Sequence, residues 1–354
     1  MKALVLAGGV GSRLRPLTHT SPKQLLPIAN KPVLFYGLES VRDAGIREVG
    51  IVIGGASAPA IRAEVGDGSA FGLAVTYLHQ HEPRGLAHAV GIARDYLGAD
   101  DFLMYLGDNF LFGGIGELIE RFRTDRPSAQ VMLTKVPDPR AFGVAELDGD
   151  GHIVGVVEKP REPRSDLAVI GVYVFSQAVH GAIARLTPSW RGELEITDAI
   201  ARLIADGQPV GATVTSEYWR DTGTVGDILE LNQFVLDSIS TSVAGEVDAA
   251  SDLSGAVIVA PGAVVTGSQI IGPVSLGPGA VVRNSRLGPY TSVGAGCTVI
   301  DSEIERSIML PGAQIEGVVR IDHSLIGRDT RVTAADTPRF HRLVLGDHST
   351  VQVG

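Results

Sequence analysis

The amino-acid sequence predicts an α/β fold with a doubly wound, mostly parallel sheet, followed by a parallel β-helix. Short apolar runs alternate with helical repeats up to about residue 235, and a six-residue aliphatic repeat replaces them beyond Ser251. The glycine-rich segment AGGVGS directly follows the first apolar run, as in many phosphate-binding turns. We therefore expect a domain at 1–240, a linker at 241–251, a β-helix at 252–335 and a C-terminal tail at 336–354.

The composition is ordinary for a soluble globular protein. The 354 residues are 44% hydrophobic and 20% charged, with a formal net charge of −10. A single cysteine, Cys297, excludes an internal disulfide and fits a reducing, cytoplasmic setting. No run approaches the roughly 18 apolar residues of a membrane span, and the apolar run at 3–7 lacks a signal-peptide cleavage site. The acidic balance argues against general nucleic-acid binding.

The first half reads as strands separated by helices. The predicted buried strands are KALVLA, EVGIVIG, LAVTYLH, DDFLMYLGD and AQVMLTKV, with helices at 32–44, 86–97 and 115–123. This alternation implies right-handed crossovers between parallel strands. After residue 140 we expect the hairpin FGVAELDGDGHIVGVVEKP, the strand LAVIGVYVFS, the helix EITDAIARLIADG, the strand region ATVTSEYWRDTG and a last helix near 225–238.

The second half carries a repeat of aliphatic residues with glycine, proline and alanine between them. The repeating positions are Val259, Val265, Ile271, Leu276, Val282, Leu287, Val293, Val299, Ile304, Leu310, Ile326 and Val332. Such a hexapeptide repeat is typical of a β-helix, in which each coil stacks its aliphatic side chains on the next coil. The register slips between runs, which predicts loops that interrupt the coils.

The opening segment concentrates positive charge on an acidic protein. It contains Lys2, Arg13, Arg15, Lys23 and Lys31, and the first carboxylate side chain is that of Glu39. A Rossmann fingerprint is excluded because Leu14 occupies the place of its third glycine, and a Walker A sequence is absent. Arginine and lysine beside a glycine turn indicate a phosphate site, although the same residues would also suit a solvated surface.

The segment LVLAGGVGSRLRPLTHTSPKQLLPIANKPV resembles the signature of the sugar-1-phosphate nucleotidylyltransferases. The resemblance implies a Rossmann-like nucleotidyltransferase domain and, for the long form, a C-terminal left-handed β-helix. Within the family, the chain is most similar to members that transfer a thymidylyl group from dTTP to α-D-glucose 1-phosphate, giving dTDP-glucose and pyrophosphate for deoxysugar synthesis. The resemblance also implies Mg²⁺ as the cofactor.

One aspartate follows an apolar strand and another stands at the end of a later strand. Asp108 lies in MYLGDN and Asp221 in YWRDTGT. The carboxyl edge of a parallel sheet is where ligands bind, although each aspartate alone would also suit a turn or a helix cap. The resemblance implies that Asp108 and Asp221 hold the Mg²⁺ ion and that Arg13 and Lys23 complete the catalytic set.

The resemblance also implies the contacts to both substrates. Those to the nucleotide are Gly8, Gly9, Gly11, Ser12, Gln80, Pro83 and Gly85; those to the sugar phosphate are Gly143, Glu158, Lys159, Val169 and Arg191. A glutamine can pair with the N3–H and O4 of thymine, but uracil offers the same edge. Glu158 and Lys159 are neighbours on a strand, so only a local distortion lets both reach one ligand. Without the resemblance they would read as an exposed pair.

Three alternatives stay open from the sequence. The first is a uridylyltransferase, since one methyl group separates the two bases. The second is a bifunctional enzyme whose β-helix transfers an acyl group with His323 or His341 as base, and the third is a sugar-nucleotide sensor without chemistry. His79, His81 and His88 are expected to be packing or surface residues. We expect the β-helix to have a structural role, either packing against the catalytic domain or forming a homo-oligomer interface.

Overall fold

The computed structural model describes residues 1–9, 11–334 and 343–353. The expected tail positions 336–342 and 354, including His341, lie outside these residues. The chain divides into two compact units, Met1–Val10 with Leu34–Asp221, and Gly11–Val33 with Thr222–Gly354. The helices are α1 Val33–Asp43, α2 Ala58–Val65, α3 Leu86–Ile92, α4 Arg94–Leu97, α5 Gly116–Asp125, α6 Ala178–Ile183, α7 Ile196–Ala205 and α8 Val225–Asp237.

The first thirteen strands include the large sheet of the first unit. They are β1 Lys2–Leu6, β2 Pro27–Ile28, β3 Lys31–Pro32, β4 Glu48–Ile53, β5 Ala74–His79, β6 Phe102–Leu106, β7 Asn109–Leu111, β8 Ala129–Lys135, β9 Gly143–Leu147, β10 Ile153–Glu158, β11 Leu167–Phe175, β12 Val210–Thr215 and β13 Trp219–Asp221. The sheet runs β10-β9-β11-β6-β1-β4-β5, with β8 and β12 added beside β11.

The strand order reverses next to β1, which creates the switch point of a doubly wound sheet. β1 pairs in parallel with β4 on one side and with β6 on the other. The N–H of Gly107 donates to Leu6 O at 2.9 Å, so the chain segments that follow β1 and β6 leave the sheet side by side. Ligands of open α/β sheets bind at such a point.

The core of the first unit confirms the predicted α/β class and corrects some helix limits. β1 is buried from Ala3 to Leu6, as expected for a central strand covered on both faces. The predicted helix 86–97 divides into α3 and α4, because Ala93 has a ψ of 0° and interrupts the helical geometry. α2 and α6 were not predicted, since both are short, with eight and six residues.

The second unit contains three stacked parallel sheets. One is formed by β14 Ser242–Val243, β17 Val257–Val259, β20 Val274–Leu276, β23 Thr291–Val293, β26 Ile308–Met309, β29 Leu325–Ile326 and β31 Val344–Leu345. The next is formed by β15 Glu246–Val247, β18 Val264–Thr266, β21 Val281–Arg283, β24 Thr298–Ile300, β27 Gln314–Glu316, β30 Arg331–Ala334 and β32 Thr350–Val353. The third is formed by β16 Asp252–Ser254, β19 Gln269–Ile271, β22 Arg286–Leu287, β25 Glu303–Glu305 and β28 Ile321–Asp322. This is the predicted β-helix.

The coil length explains the slipping register. Equivalent residues in successive coils, such as Ser268 and Ser285, are 17 positions apart, whereas three hexapeptides would need one more. Where the spacing is 17, one side of the coil is a residue short, and Ile270 rather than the predicted Ile271 enters the core. Other coils differ in length, with 16 residues from Ser292 to Ile308 and 19 from Leu325 to Val344, so the register slips by more than one route.

A ladder of serines supports one corner of the coils. The N–H of Ser285 donates to Ser268 Oγ at 3.1 Å, and the N–H of Ser302 donates to Ser285 Oγ at 3.1 Å. Each of these hydroxyls also donates to the carbonyl two residues before it. Backbone N–H and C=O groups at this turn thus have hydrogen-bond partners, although they lie outside the strand ladders.

The β-helix extends past both limits expected from the sequence. β14 and β15 lie within the expected linker 241–251, and β31 and β32 lie within the expected tail 336–354. Both ends add parallel ladders to neighbouring coils, so their backbone groups are paired. Short strands of this kind were missed because their polar residues hide the six-residue repeat.

The segment 11–33 belongs to the same compact unit as the β-helix. β2 and β3 form a hairpin whose turn residues, Ala29 and Asn30, have positive φ angles of 48° and 66°. Asn30 Nδ2 donates to Ser275 O and Val293 O, both at 3.1 Å. These bonds to backbone carbonyls of the β-helix explain why the units differ from the expected domain limits at 240 and 252.

Candidate active site

Gln80 and Gly8 meet at the carboxyl edge of the large sheet. Gln80 directly follows β5, is 8% exposed and donates its N–H to Ile53 O at 2.8 Å. A Cβ atom on Gly8 would lie 3.2 Å from Gln80 Oε1, so the amide oxygen faces the chain that leaves β1. Two residues predicted to bind the nucleotide are therefore adjacent, while Gly9 and Pro83 are exposed.

The nitrogen of the Gln80 amide is engaged by two acceptors. Nε2 lies 3.3 Å from Gly85 O and 3.1 Å from His88 Nδ1. Burial, and then the charge of Arg84, lower the pKa of His88. The sequence analysis placed His88 among packing or surface residues, and the structure adds this contact with a predicted base-binding side chain.

Gly85 joins the region around Gln80 to the start of α7. Its φ is +101°, and a Cβ atom there would lie 2.4 Å from Leu194 O, so only glycine fits. The N–H of Leu194 donates to Arg84 O at 2.8 Å, and the N–H of Ala87 donates to Leu194 O at 3.0 Å. This pairing links residues predicted to contact the base with residues predicted to contact the sugar phosphate.

The two predicted metal ligands are brought together by a short antiparallel ladder. Asp221 ends β13 and lies opposite Asn109 of β7, the residue after Asp108. Asn109 Nδ2 donates to Asp108 Oδ1 at 3.0 Å, and Trp219 Nε1 donates to Asn109 Oδ1 at 2.8 Å. Asn109 is 3% exposed, so a buried amide fixes the orientation of the Asp108 carboxylate.

These carboxylates suit a hard divalent cation. Mg²⁺ is commonly held by one or two carboxylates, with substrate phosphates and water completing its shell. Among the described residues no group of three or more His, Cys, Asp or Glu could hold a metal ion. Asp108 and Asp221 supply two carboxylates, a donor set that fits a cation which also takes ligands from a phosphorylated substrate.

Gly143 forms the floor of a second cluster. It lies opposite Glu158 on one side and Val169 on the other in the β10-β9-β11 ladder. A Cβ atom on Gly143 would lie 2.7 Å from Thr197 Cγ2 and 3.4 Å from Glu158 Oε2. Thr197 Oγ1 donates to Glu158 Oε2 at 3.0 Å. The absence of a side chain at Gly143 thus lets the Thr197 methyl group pack beside Glu158 and Val169, the two predicted sugar contacts on the neighbouring strands.

Lys159 shows the local distortion that the sequence analysis required. β10 ends at Glu158, and Lys159 has a φ of +42°, which removes the strand alternation at this point. Its Nζ lies 3.6 Å from Glu158 Oε1. Burial raises the pKa of Glu158, against the opposing effect of Lys159. A cation and a poorly solvated carboxylate therefore lie side by side.

Arg191 is held by carboxylates around the same cluster. Its Nη1 lies 3.2 Å from Glu195 Oε1 and 3.7 Å from Glu158 Oε1, and its Nη2 lies 3.2 Å from Glu193 Oε1. Glu195 is only 4% exposed and also accepts from Ser189 Oγ. The predicted phosphate contact is thereby fixed next to Glu158.

In the second unit, the glycine turn and Lys23 are adjacent. Gly11 has a φ of +65°, and a Cβ atom there would lie 3.1 Å from Lys23 Cβ. Thr18 Oγ1 donates to Gly11 O at 2.7 Å, which closes the segment on itself. Ser12 and Arg13 lie in the 3₁₀ turn that follows Gly11, and both are exposed.

The histidine considered for acyl transfer has a structural surrounding. His323 Nδ1 lies 2.8 Å from Asp322 Oδ1 and 3.2 Å from Arg306 Nε, while Arg306 is also paired with Asp322. The arginine thus shares the carboxylate.

In the part of the chain that the structure covers, no helix combines the length and apolar character needed to cross a bilayer.

Sequence reasoning missed several residues that surround Gln80, the two aspartates and the predicted sugar-phosphate contacts. They are His88, Asn109, Thr197, Glu193, Glu195 and Trp219. Asn109 and Trp219 neighbour the two aspartates, and Thr197 follows Arg191 closely in WRGELEITD. Proximity to predicted ligands was the available signal, but their contacts depend on the ladders that the fold creates.

The chain is similar to known proteins over its whole length. The nucleotidyl transferase family model matches residues 2–238. A glucose-1-phosphate thymidylyltransferase of Streptomyces griseus is 58% identical over 100% of this chain and 99% of its own length. One from Streptomyces antibioticus is 55% identical over the same shares.

A solved structure from Bacillus anthracis, titled as a candidate glucose-1-phosphate thymidylyltransferase in complex with sucrose, is also similar. It has a TM-score of 0.63 and 34% identity, and the match covers 68% of this chain and 97% of that one. The family model spans more than half of the chain, and the identities extend over both units. The chain therefore belongs to the nucleotidyl transferase family.

Proposed function

We propose that this protein transfers a thymidylyl group from dTTP to α-D-glucose 1-phosphate, giving dTDP-glucose and pyrophosphate. The observation that carries the proposal is that backbone hydrogen bonds of Leu194 connect two groups of predicted contacts. Gln80 and Gly85 lie on one side of this connection, and Glu158 and Arg191 lie on the other. The relatives in two Streptomyces species, similar over their full length, bear the same activity in their names.

The reaction we propose is a single in-line displacement. A phosphate oxygen of glucose 1-phosphate forms a bond to the α-phosphorus of dTTP, and the bond from that phosphorus to the bridging oxygen breaks. Pyrophosphate leaves with the electron pair. The attacking oxygen is already anionic, so no protein nucleophile is required, and catalysis rests on positioning and charge stabilisation.

Each side chain then has a separate task. Arg13 and Lys23, with the glycine turn, bind phosphate groups, and Lys159 and Arg191 bind the phosphate of the sugar. Glu158 accepts hydrogen bonds from sugar hydroxyls, supported by Thr197. Asp108 and Asp221 would hold Mg²⁺, which supplies charge neutralisation between the two anionic substrates.

Pyrophosphate release tests the proposal. The assay pairs dTTP, UTP, ATP or GTP with glucose 1-phosphate or its 2-acetamido analogue, in the presence and absence of Mg²⁺. We expect turnover with dTTP, glucose 1-phosphate and Mg²⁺. The methyl group of thymine contributes only about 1 kcal/mol, so some activity with UTP is compatible with the proposal. Absence of turnover with every pyrimidine nucleotide would contradict it, and acetylation of sugar by added acetyl-CoA would indicate a second activity.

A further inference from the structure

The Gln80 amide is held in one orientation. Its nitrogen has two hydrogens, and two acceptors lie within reach, Gly85 O at 3.3 Å and His88 Nδ1 at 3.1 Å. Its oxygen is 3.2 Å from the position that a Cβ of Gly8 would occupy. With the nitrogen engaged by the protein, the oxygen is the atom that the side chain presents towards the glycine segment.

His88 Nδ1 adds a second acceptor to the one that Gly85 O provides, and it is the nearer of the two. A backbone carbonyl such as Gly85 O accepts from the amide in any protonation state, but an imidazole Nδ1 accepts only when it carries no proton. Burial and Arg84 lower the pKa of His88, with Glu82 acting in the opposite direction, so the neutral ring is favoured at neutral pH. When the neutral ring carries its proton on Nε2, its Nδ1 lone pair disfavours the flipped amide, whose oxygen would also face Gly85 O.

We propose that His88 is a positioning residue that fixes the Gln80 amide oxygen towards the base and thereby selects pyrimidines with an N3–H group over cytosine. This inference rests on the proposed function, in which Gln80 contacts the base. Thymine and uracil donate from N3, whereas N3 of cytosine is an acceptor and would face the amide oxygen without a proton between them. Selectivity of this kind depends on an unfavourable contact with the wrong base.

Substitution of His88 separates orientation from packing. His88→Leu keeps a side chain of moderate size but removes the nearer of the two acceptors, which weakens the hold on the amide. His88→Asn is the conservative variant, since its Oδ1 can occupy the place of Nδ1. His81→Leu is the matched control, because His81 is exposed and its ring stacks on His79.

The measurement is kcat/KM for dTTP and for dCTP, each with glucose 1-phosphate. We expect His88→Leu to raise the KM for dTTP about tenfold with a smaller change in kcat, and to reduce the dTTP-to-dCTP preference by at least the same factor. His88→Asn and His81→Leu should retain the preference of the wild type. Thermal unfolding of each variant confirms folding, and His88→Ala replaces His88→Leu if the latter does not fold.

The outcomes distinguish the two hypotheses. A wild-type enzyme that does not turn over dTTP overturns the proposed function and this inference together. A selective wild type whose preference is unchanged in His88→Leu and His88→Ala overturns the inference alone. Equal loss in His88→Asn and His88→Leu would also overturn it, because the acceptor would then not be the property that matters.

Discussion

Backbone conformation at single residues determines which side chains reach one ligand. Glu158 and Lys159 should point to opposite faces of β10, as alternation on a strand dictates. The φ of +42° at Lys159 removes that alternation, and sequence does not mark it because lysine is not a residue that favours this region. The metal role of the two aspartates was implied by the family resemblance and stays a prediction, whereas the Asn109 and Trp219 contacts required the β7–β13 ladder.

Asp108→Asn should lower kcat by about a hundredfold or more, because the variant lacks the negative charge that we expect to bind the metal ion. Folding should be unaffected, since an asparagine oxygen can still accept from Asn109. Asp100→Asn is the matched control, as Asp100 precedes β6 at the opposite edge and pairs with Lys2 at 3.1 Å. Steady-state kinetics at several Mg²⁺ concentrations measure both, and equal activity of the two variants would refute the assignment.

Glu158→Gln should stabilise the protein at neutral pH while weakening the binding of glucose 1-phosphate. Burial raises the pKa of Glu158 above its ordinary 4.5, so the folded chain binds this proton more tightly than the unfolded chain. Stability therefore falls as pH rises from 4.5 through the folded-state pKa. Glutamine removes this dependence.

We expect Glu158→Gln to unfold about 1–2 °C higher than the wild type at pH 7, with the gap closing as the pH falls. Thermal scans across pH measure the gap. Glu146→Gln provides the control, because Glu146 lies in the same hairpin with a more exposed side chain, at 34% against 19% for Glu158. A constant gap at every pH would show that burial of the charge is not the cause.

At the scale of elements, α8 connects the hairpin of β2 and β3 to the β-helix. Asn232 of α8 is fully buried; its Oδ1 accepts from Ala29 N–H at 2.9 Å and from Ser292 Oγ at 2.8 Å, and its Nδ2 donates to Tyr290 O at 3.2 Å. The sequence pattern predicted α8 and the strands of the coils. It could not predict this network, because a lone asparagine on a helix is usually exposed.

Asn232→Ala should lower the free energy of unfolding by about 2–3 kcal/mol, because a buried N–H, a hydroxyl and a carbonyl lose their partner. Urea denaturation followed by circular dichroism measures the change. Gln233→Ala is the control, since Gln233 neighbours Asn232 on α8 and is only half-buried. A similar, small effect of both substitutions would mean that the network contributes little.

At the scale of the whole molecule, the last coil reaches the segment that carries Lys23. Thr20 Oγ1 and Ser21 Oγ donate to Asp347 Oδ2 at 2.5 and 3.2 Å, and the N–H of Arg328 donates to Oδ1 at 2.7 Å. The sequence analysis expected a tail at this position. Contacts between residues more than 300 positions apart follow from the number of coils, which the six-residue repeat only approximates.

Asp347→Ala should reduce kcat/KM for dTTP about fivefold, because the hydroxyls of Thr20 and Ser21 lose their acceptor and Lys23 becomes less well placed. Asp347→Asn keeps an oxygen acceptor and should lie close to the wild type. Initial rates at varied dTTP measure the effect. Wild-type kinetics in the alanine variant would show that the last coil is not needed to hold this segment.

The stacked coils also set the distance between two contacts of the segment 11–33. Asn30 donates to the carbonyl of Val293, and Ser21 donates to the carboxylate of Asp347, which follows β31. Between them the ladder advances by β26, β29 and β31, about 14 Å at ~4.8 Å per strand. A chain that lacked one coil would keep its stacked interior, but Asp347 would move by ~4.8 Å along the stack. The carboxylate would then lie beyond the reach of the Thr20 and Ser21 hydroxyls. The number of coils between these two contacts thus matches the reach of the segment from Ser21 to Asn30.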